Sequence, residues 1–207
     1  MSLLIVAGVS ILLGLRHATD PDHLAAVTTM IASGRERAAH QAARLGFTWG
    51  LGHATSLFAF GLPVVLYSAY LPETIQKAAE TSVGFLIVAL GALLLVRWRR
   101  GFQHVQTRTG LQAYGIGLVH GMGGTAGVGV LLLATIDSAA VAVGALLLFA
   151  LCTAASMTIL STGFGFALSR GRVRDCFHRL APVLGTASLA FGVWYALGAQ
   201  GVVPYVF

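Results

Sequence analysis

The segment His17-Ala18-Thr19-Asp20-Pro21-Asp22-His23 places four ionisable side chains within seven positions, with apolar sequence on both sides. Imidazole nitrogen with carboxylate oxygen is the donor set of a borderline divalent metal, and nickel and copper favour tetragonal sites of N and O ligands. His53 lies in the run Gly46-Phe47-Thr48-Trp49-Gly50-Leu51-Gly52-His53-Ala54-Thr55-Ser56, a third imidazole in apolar surroundings with Thr55 and Ser56 beside it. His120 is a fourth, followed by Gly121-Met122-Gly123-Gly124-Thr125. Ligating groups must be deprotonated, so metal binding here should weaken as pH falls through the range in which histidine titrates.

Two local geometries fit the first segment, and they use different acids. In one, Asp20 is an N-cap, Pro21 occupies the first helical position, and the preceding helix ends near His17. In the other the helix continues, and at about 100° per residue His17, Asp20 and His23 share one face while Asp22 points away. Arg16, next to the site, could pair either aspartate when metal is absent.

The elements that hold these residues must be membrane helices. Of 207 residues 57% are hydrophobic and 10% charged, where an ordinary soluble domain carries about 25% charged residues. That excludes a soluble fold, and apolar residues are too plentiful for disorder. An aspartate at the centre of a membrane helix costs about 2.5–3.5 kcal/mol. Asp20 and Asp22 must therefore be paired, protonated or bound to a cation. Cys152 in an apolar run and Cys176 in a basic loop give no disulfide framework. The apolar start lacks a basic leading region, so it reads as a first span rather than a removable leader.

About 20 apolar residues cross the hydrocarbon layer, and six spans are predicted over 2–33, 41–70, 80–97, 111–136, 139–168 and 181–200. The first is too long for one straight crossing, and Pro21 interrupts it. Eleven of the 13 basic residues (Arg35, Arg37, Arg44; Arg97, Arg99, Arg100, Arg108; Arg170, Arg172, Arg174, Arg179) fall in three alternate loops. The net charge of +6 thus records topology rather than nucleic-acid binding, because basic loops stay cytoplasmic. Both termini are then expected on the outer face of the inner (plasma) membrane.

Gly14-Leu15-Arg16-His17 matches Gly117-Leu118-Val119-His120, and Gly84 and Gly91 match Gly185 and Gly192. Three spans per repeat invert the second half, the plan of transporters that bind substrate mid-membrane at broken helices. The expected architecture is an all-α integral membrane protein with a single transmembrane domain over 1–207. Its repeats would cover about 1–100 and 103–207, with breaks in spans one and four. Small residues at 46, 50 and 54 should let another helix approach span two closely. His40, His104 and His178 belong to basic loops, and the glycines after His120 lack the lysine and spacing of a phosphate loop.

His17, four residues, then Asp22-His23, preceded by Arg16, resembles the first signature of the nickel/cobalt transporter (NiCoT) family. Leu51-Gly52-His53-Ala54-Thr55 resembles its second. The short length, the Asp-Pro-Asp-His variant and Gly-Leu-Val-His-Gly in span four are most similar to the UreH-type branch associated with urease. The resemblance implies transport of a divalent metal, with His17, Asp22 and His23 as ligands and His53 completing the site. Ala54 and Pro21 depart from the family's usual serine and alanine. Asp20, His120, Arg16 and Thr55 are supporting candidates.

The resulting expectation is a permease for Ni²⁺, or else Co²⁺, working by alternating access in the uptake direction. It is not an enzyme and has no organic cofactor. Its partners are the divalent metal ion and membrane lipids, with room for a homo-oligomer and for a nickel chaperone or urease maturation factors. No nucleotide-binding motif is present. A dication crossing 100 mV gains about 4.6 kcal/mol, twice the roughly 2.3 per charge, enough for more than a thousandfold accumulation. The competing readings are an intramembrane metal-dependent hydrolase using the same cluster, and a membrane dock for a nickel chaperone through the arginine-rich loops.

Overall fold

A computed structural model describes residues 3–31, 38–67, 72–101, 109–123, 130 and 133–204. Arg35, Arg37, His104, Arg108, Gly124 and Thr125 lie outside the described residues. All regular structure among the described residues is helical: α1 (Leu3–His17), α2 (Pro21–Ile31), α3 (Ala38–Tyr67), α4 (Glu73–Arg99), α5 (Gly110–His120), α6 (Ala139–Ser169) and α7 (Gly171–Ala199). Four segments are long and apolar enough to cross a membrane: Ala39–Tyr67, Glu73–Arg99, Ala139–Ser169 and Asp175–Ala199. At about 1.5 Å per residue each exceeds the roughly 30 Å hydrocarbon layer. The chain is a multi-pass membrane protein.

Two expected boundaries move. The connection expected over 71–79 is instead the first turns of α4, which starts at Glu73. Glu73, Gln76 and Lys77 make these turns too polar to read as a span, yet with Ala78 and Ala79 they are good helix formers, and Lys77 Nζ lies 2.6 Å from Glu73 Oε1 one turn away. Likewise the basic loop expected over 169–180 shrinks to Arg170, because α7 begins at Gly171 and carries Arg172, Arg174 and Arg179 in its first turns.

The first expected span is broken. α1 ends at His17, residues 18–20 form a turn, and α2 starts at Pro21. A break exposes backbone carbonyls that lipid cannot satisfy, and here they are taken up locally. Arg16 O accepts from the Thr19 amide (2.9 Å) and hydroxyl (2.6 Å), His17 O from the Asp20 amide (3.1 Å), and Leu15 O from the Ser156 hydroxyl of α6 (3.1 Å). Asp20 O accepts from the Leu24 amide (3.0 Å), starting α2. α5 opens with a capping box, Thr109 and Gln112 exchanging bonds, and ends at His120 with Gly121 as C-cap. The expected break after His120 begins there and then passes outside the described residues.

Helix contacts run through small residues. α3 packs on α6, α1 on α6, α5 on α3, and α4 on α7. An alanine Cβ at Gly14 would stand 2.8 Å from Phe149 O and 3.0 Å from Thr153 N. At Gly117 it would stand against Trp49 O and 2.8 Å from His53 N. Gly46 and Gly50 face Ser161 and Ala154 of α6, as the small residues of span two lead one to expect. Gly84 faces the Gly192 carbonyl, and Gly91 the Gly185 carbonyl. With no side chains between them, backbones meet directly, which is how lipid-embedded helices gain packing energy without a hydrophobic driving force.

Candidate metal site

The break between α1 and α2 brings His17 and His23 beside His53 of α3 and His120 at the end of α5. Because residues 18–20 leave the helical path, the continuous-helix geometry, which would turn Asp22 away, does not occur. All four imidazoles and Asp22 are buried, none more than 4% exposed. Ring centroids are 4.5 Å apart for His17 and His23, 4.9 Å for His23 and His53, and 4.4 Å for His23 and His120. Trp49 closes one side, 5.7 Å from His23 and from His120, and Phe149 lies 6.0 Å from His17.

The polar atoms form a connected set. His17 Nδ1 is 3.1 Å from Asp20 Oδ2, His23 Nδ1 is 3.1 Å from Asp22 Oδ1, and His120 Nε2 is 3.1 Å from Asp22 Oδ2. His17 Nε2 and His53 Nε2 stand 3.1 Å apart. Ligands about 2.0–2.1 Å from a metal are separated by about 2.9 Å at a right angle and about 3.4 Å at the tetrahedral angle, so this spacing suits two ligands of one ion. Ligand atoms of His17, His23 and His53 lie within 4.8 Å of one another, as do those of Asp22, His23 and His120. His23 Nε2, His53 Nδ1 and His120 Nδ1 are buried with no hydrogen-bond partner. Such atoms are costly in an apolar interior, and an imidazole nitrogen can be satisfied by a hydrogen-bond partner or by a metal ion.

His17, Asp20, Asp22, His23, His53 and His120 therefore come together. Thr55 does not: it is exposed, donates to Leu51 O at 2.7 Å and accepts from the Tyr114 hydroxyl at 3.3 Å. Two residues beyond His53 it points about 200° round the helix. Arg16 is also exposed, while both oxygens of Asp22 are engaged by His23 and His120. Sequence reasoning missed Glu80, only 7% exposed in α4, which accepts from Gln76 Nε2 at 3.1 Å. Its backbone abuts Gly123, three residues after His120. The available signal was an acid at the edge of an apolar run, masked by the polar turns before it.

A family model described as "NicO: High-affinity nickel-transport protein" matches residues 3–113, more than half of the chain. The chain belongs to the NicO family. The match spans α1 to α4 and the start of α5, and so contains every cluster residue except His120. The chain is also 25% identical over 212 residues to the urease accessory protein UreH of Bacillus sp. (strain TB-90), covering 94% of this chain and 92% of that protein. No solved structure matches. As a NicO protein it is a transporter of metal ions and not an enzyme, which sets the hydrolase reading aside.

Proposed function

We propose that this NicO protein carries Ni²⁺, with Co²⁺ as the weaker alternative, into the cell through the buried cluster of His17, Asp22, His23 and His53. The observation that carries the reading is the convergence of three imidazoles, with ligand atoms within 4.8 Å, in the interior of a membrane bundle. Intramembrane ionisable groups are expensive and mark ion pathways. Nitrogen-rich sites suit nickel better than the hard cations that prefer oxygen. Asp20 lies behind His17, and His120 reaches the cluster from the second half of the chain. The name of the UreH relative supports urease as the consumer of the nickel.

The same proposal includes two inverted three-span repeats, about 1–100 and 103–207, in the inner membrane with both termini outside. The helix contacts support it because they exchange in pairs. α1 meets α6 as α5 meets α3, with Gly14 against Phe149 and Thr153 as Gly117 is against Trp49 and His53. The Gly84–Gly192 contact becomes Gly185–Gly91 when the halves are swapped. Alternating access would rock one half on the other around the fixed site.

Uptake of ⁶³Ni²⁺ into proteoliposomes under an inside-negative potential tests the function. The His17→Ala, Asp22→Ala double variant should be inactive while remaining folded. Uptake at the wild-type rate would end the proposal.

A further inference from the structure

The polar atoms of the cluster are not equivalent, and their partners divide the labour. An ionised carboxylate only accepts hydrogen bonds. Asp20 Oδ2 at 3.1 Å from His17 Nδ1 therefore places that ring's proton on Nδ1, and Asp22 Oδ1 does the same for His23. Each ring is left with Nε2 as its lone-pair nitrogen. His17 Nε2 faces His53 Nε2 at 3.1 Å, and His23 Nε2 is buried without a partner. The second oxygen of Asp22 is also taken, by His120 Nε2 at 3.1 Å.

We propose that the metal is held by the imidazoles of His17, His23 and His53, and that Asp22 acts behind His23 as a positioning residue rather than as a ligand. His120, 98 positions further along the chain, in turn positions Asp22. This rests on the metal-site reading above and divides its residues into two roles. An ion bound by Asp22 together with His23 Nδ1 and His120 Nε2 would replace both of these hydrogen bonds. Coordination through His23 Nε2 breaks neither bond and uses the nitrogen the fold leaves over. A carboxylate behind a ligating histidine holds the ring's tautomer and orientation and raises its basicity. Two such carboxylates, Asp20 and Asp22, also balance the charge of a dication held by three neutral rings, so the loaded cluster is neutral in a medium where net charge is costly. The second half of the chain thus reaches the ion through a relay, His120 to Asp22 to His23, and a shift of α5 would be passed to a ligand carried on α2.

A double-mutant cycle in Ni²⁺ affinity, measured on the full chain in lipid nanodiscs, separates the roles. Asp22→Asn should lower affinity by about tenfold to a hundredfold. In the His23→Ala background the same change should cost less than about threefold, because its effect passes through that ring. His120→Gln should weaken binding in the wild type and add nothing to Asp22→Asn. Where His23→Ala binds too weakly to titrate, nickel-edge X-ray absorption decides. Asp22→Asn should keep the wild-type first shell and imidazole scattering, while His23→Ala loses one ring. Equal losses in both backgrounds, or an oxygen missing from the Asp22→Asn first shell, would make Asp22 a direct ligand and overturn the relay. If His17→Ala and His23→Ala both bind Ni²⁺ like the wild type, the metal-site reading itself fails.

Discussion

Gly115 and Gly117 lie two residues apart on α5, and replacing each with alanine should have opposite effects. At 115 an added Cβ meets nothing within 4 Å, so Gly115→Ala gains helix propensity, up to about 1 kcal/mol. At 117 it would stand 2.8 Å from the His53 amide nitrogen and 3.0 Å from the Trp49 carbonyl carbon, with the carbonyl oxygen nearer still. Ordinary carbon contacts begin near 3.5 Å, so α3 and α5 must part by at least about 0.7 Å. Overpacking of this kind costs about 1–3 kcal/mol. The displacement also exceeds the roughly 0.2 Å latitude of metal–ligand distances, and it acts on the helix that carries His53. Gly117→Ala should therefore melt lower than wild type and bind Ni²⁺ at least about tenfold more weakly, the equivalent of about 1.4 kcal/mol. Gly115→Ala should melt at or above wild type with unchanged affinity. Thermal melts by tryptophan fluorescence and Ni²⁺ titration of both variants give the answer. Indistinguishable behaviour would show that the close α3–α5 approach does not set the site.

Ni²⁺ binding should fall once the pH is low enough to protonate the buried imidazoles, because a protonated nitrogen cannot coordinate; an affinity that stays constant in equilibrium dialysis down to the pH at which the protein unfolds would exclude imidazole ligands. Glu80→Gln removes a buried ionisable group from a membrane-crossing helix while its amide oxygen can still accept from Gln76. It should raise thermal stability and slow uptake, because an ionisable group kept at such a cost is kept for transport; lower stability with normal uptake would mark Glu80 as structural. Gly84→Ala, whose Cβ would stand 2.7 Å from the Ala196 Cβ and 2.9 Å from the Gly192 carbonyl oxygen, should cost about 1–3 kcal/mol. Gly185→Ala should cost less, because its nearest obstacle is the Leu95 side chain (Cγ and Cδ2), which can yield more readily than backbone; equal melting temperatures would contradict that ordering.

The chemistry was legible in the sequence where polarity stood against an apolar background. His17, Asp22, His23 and His53 announce themselves because charge in a membrane segment demands a reason, and Pro21 marks the break that lets both ends of the segment face the same point. The glycines at 84, 91, 185 and 192 likewise show that helix faces must touch, and α4 and α7 meet there. What sequence hides is the assignment of partners. Nothing local says that Asp20 backs His17, or that His120 finds Asp22 across 98 residues. The first pairing forms across the break between α1 and α2, and the second depends on where α5 packs, a tertiary fact. The first turns of α4 were lost for a simpler reason: hydropathy marks where apolar sequence ends, while a helix can continue through polar residues beyond it.

Crystals or cryo-preserved crystals of the wild-type protein loaded with Ni²⁺, measured at the nickel absorption edge, test the central claim most directly. One anomalous peak within bonding distance of the imidazoles of His17, His23 and His53 is the expected result. No peak in the cluster, with nickel found only at exposed histidines such as His40, would contradict it.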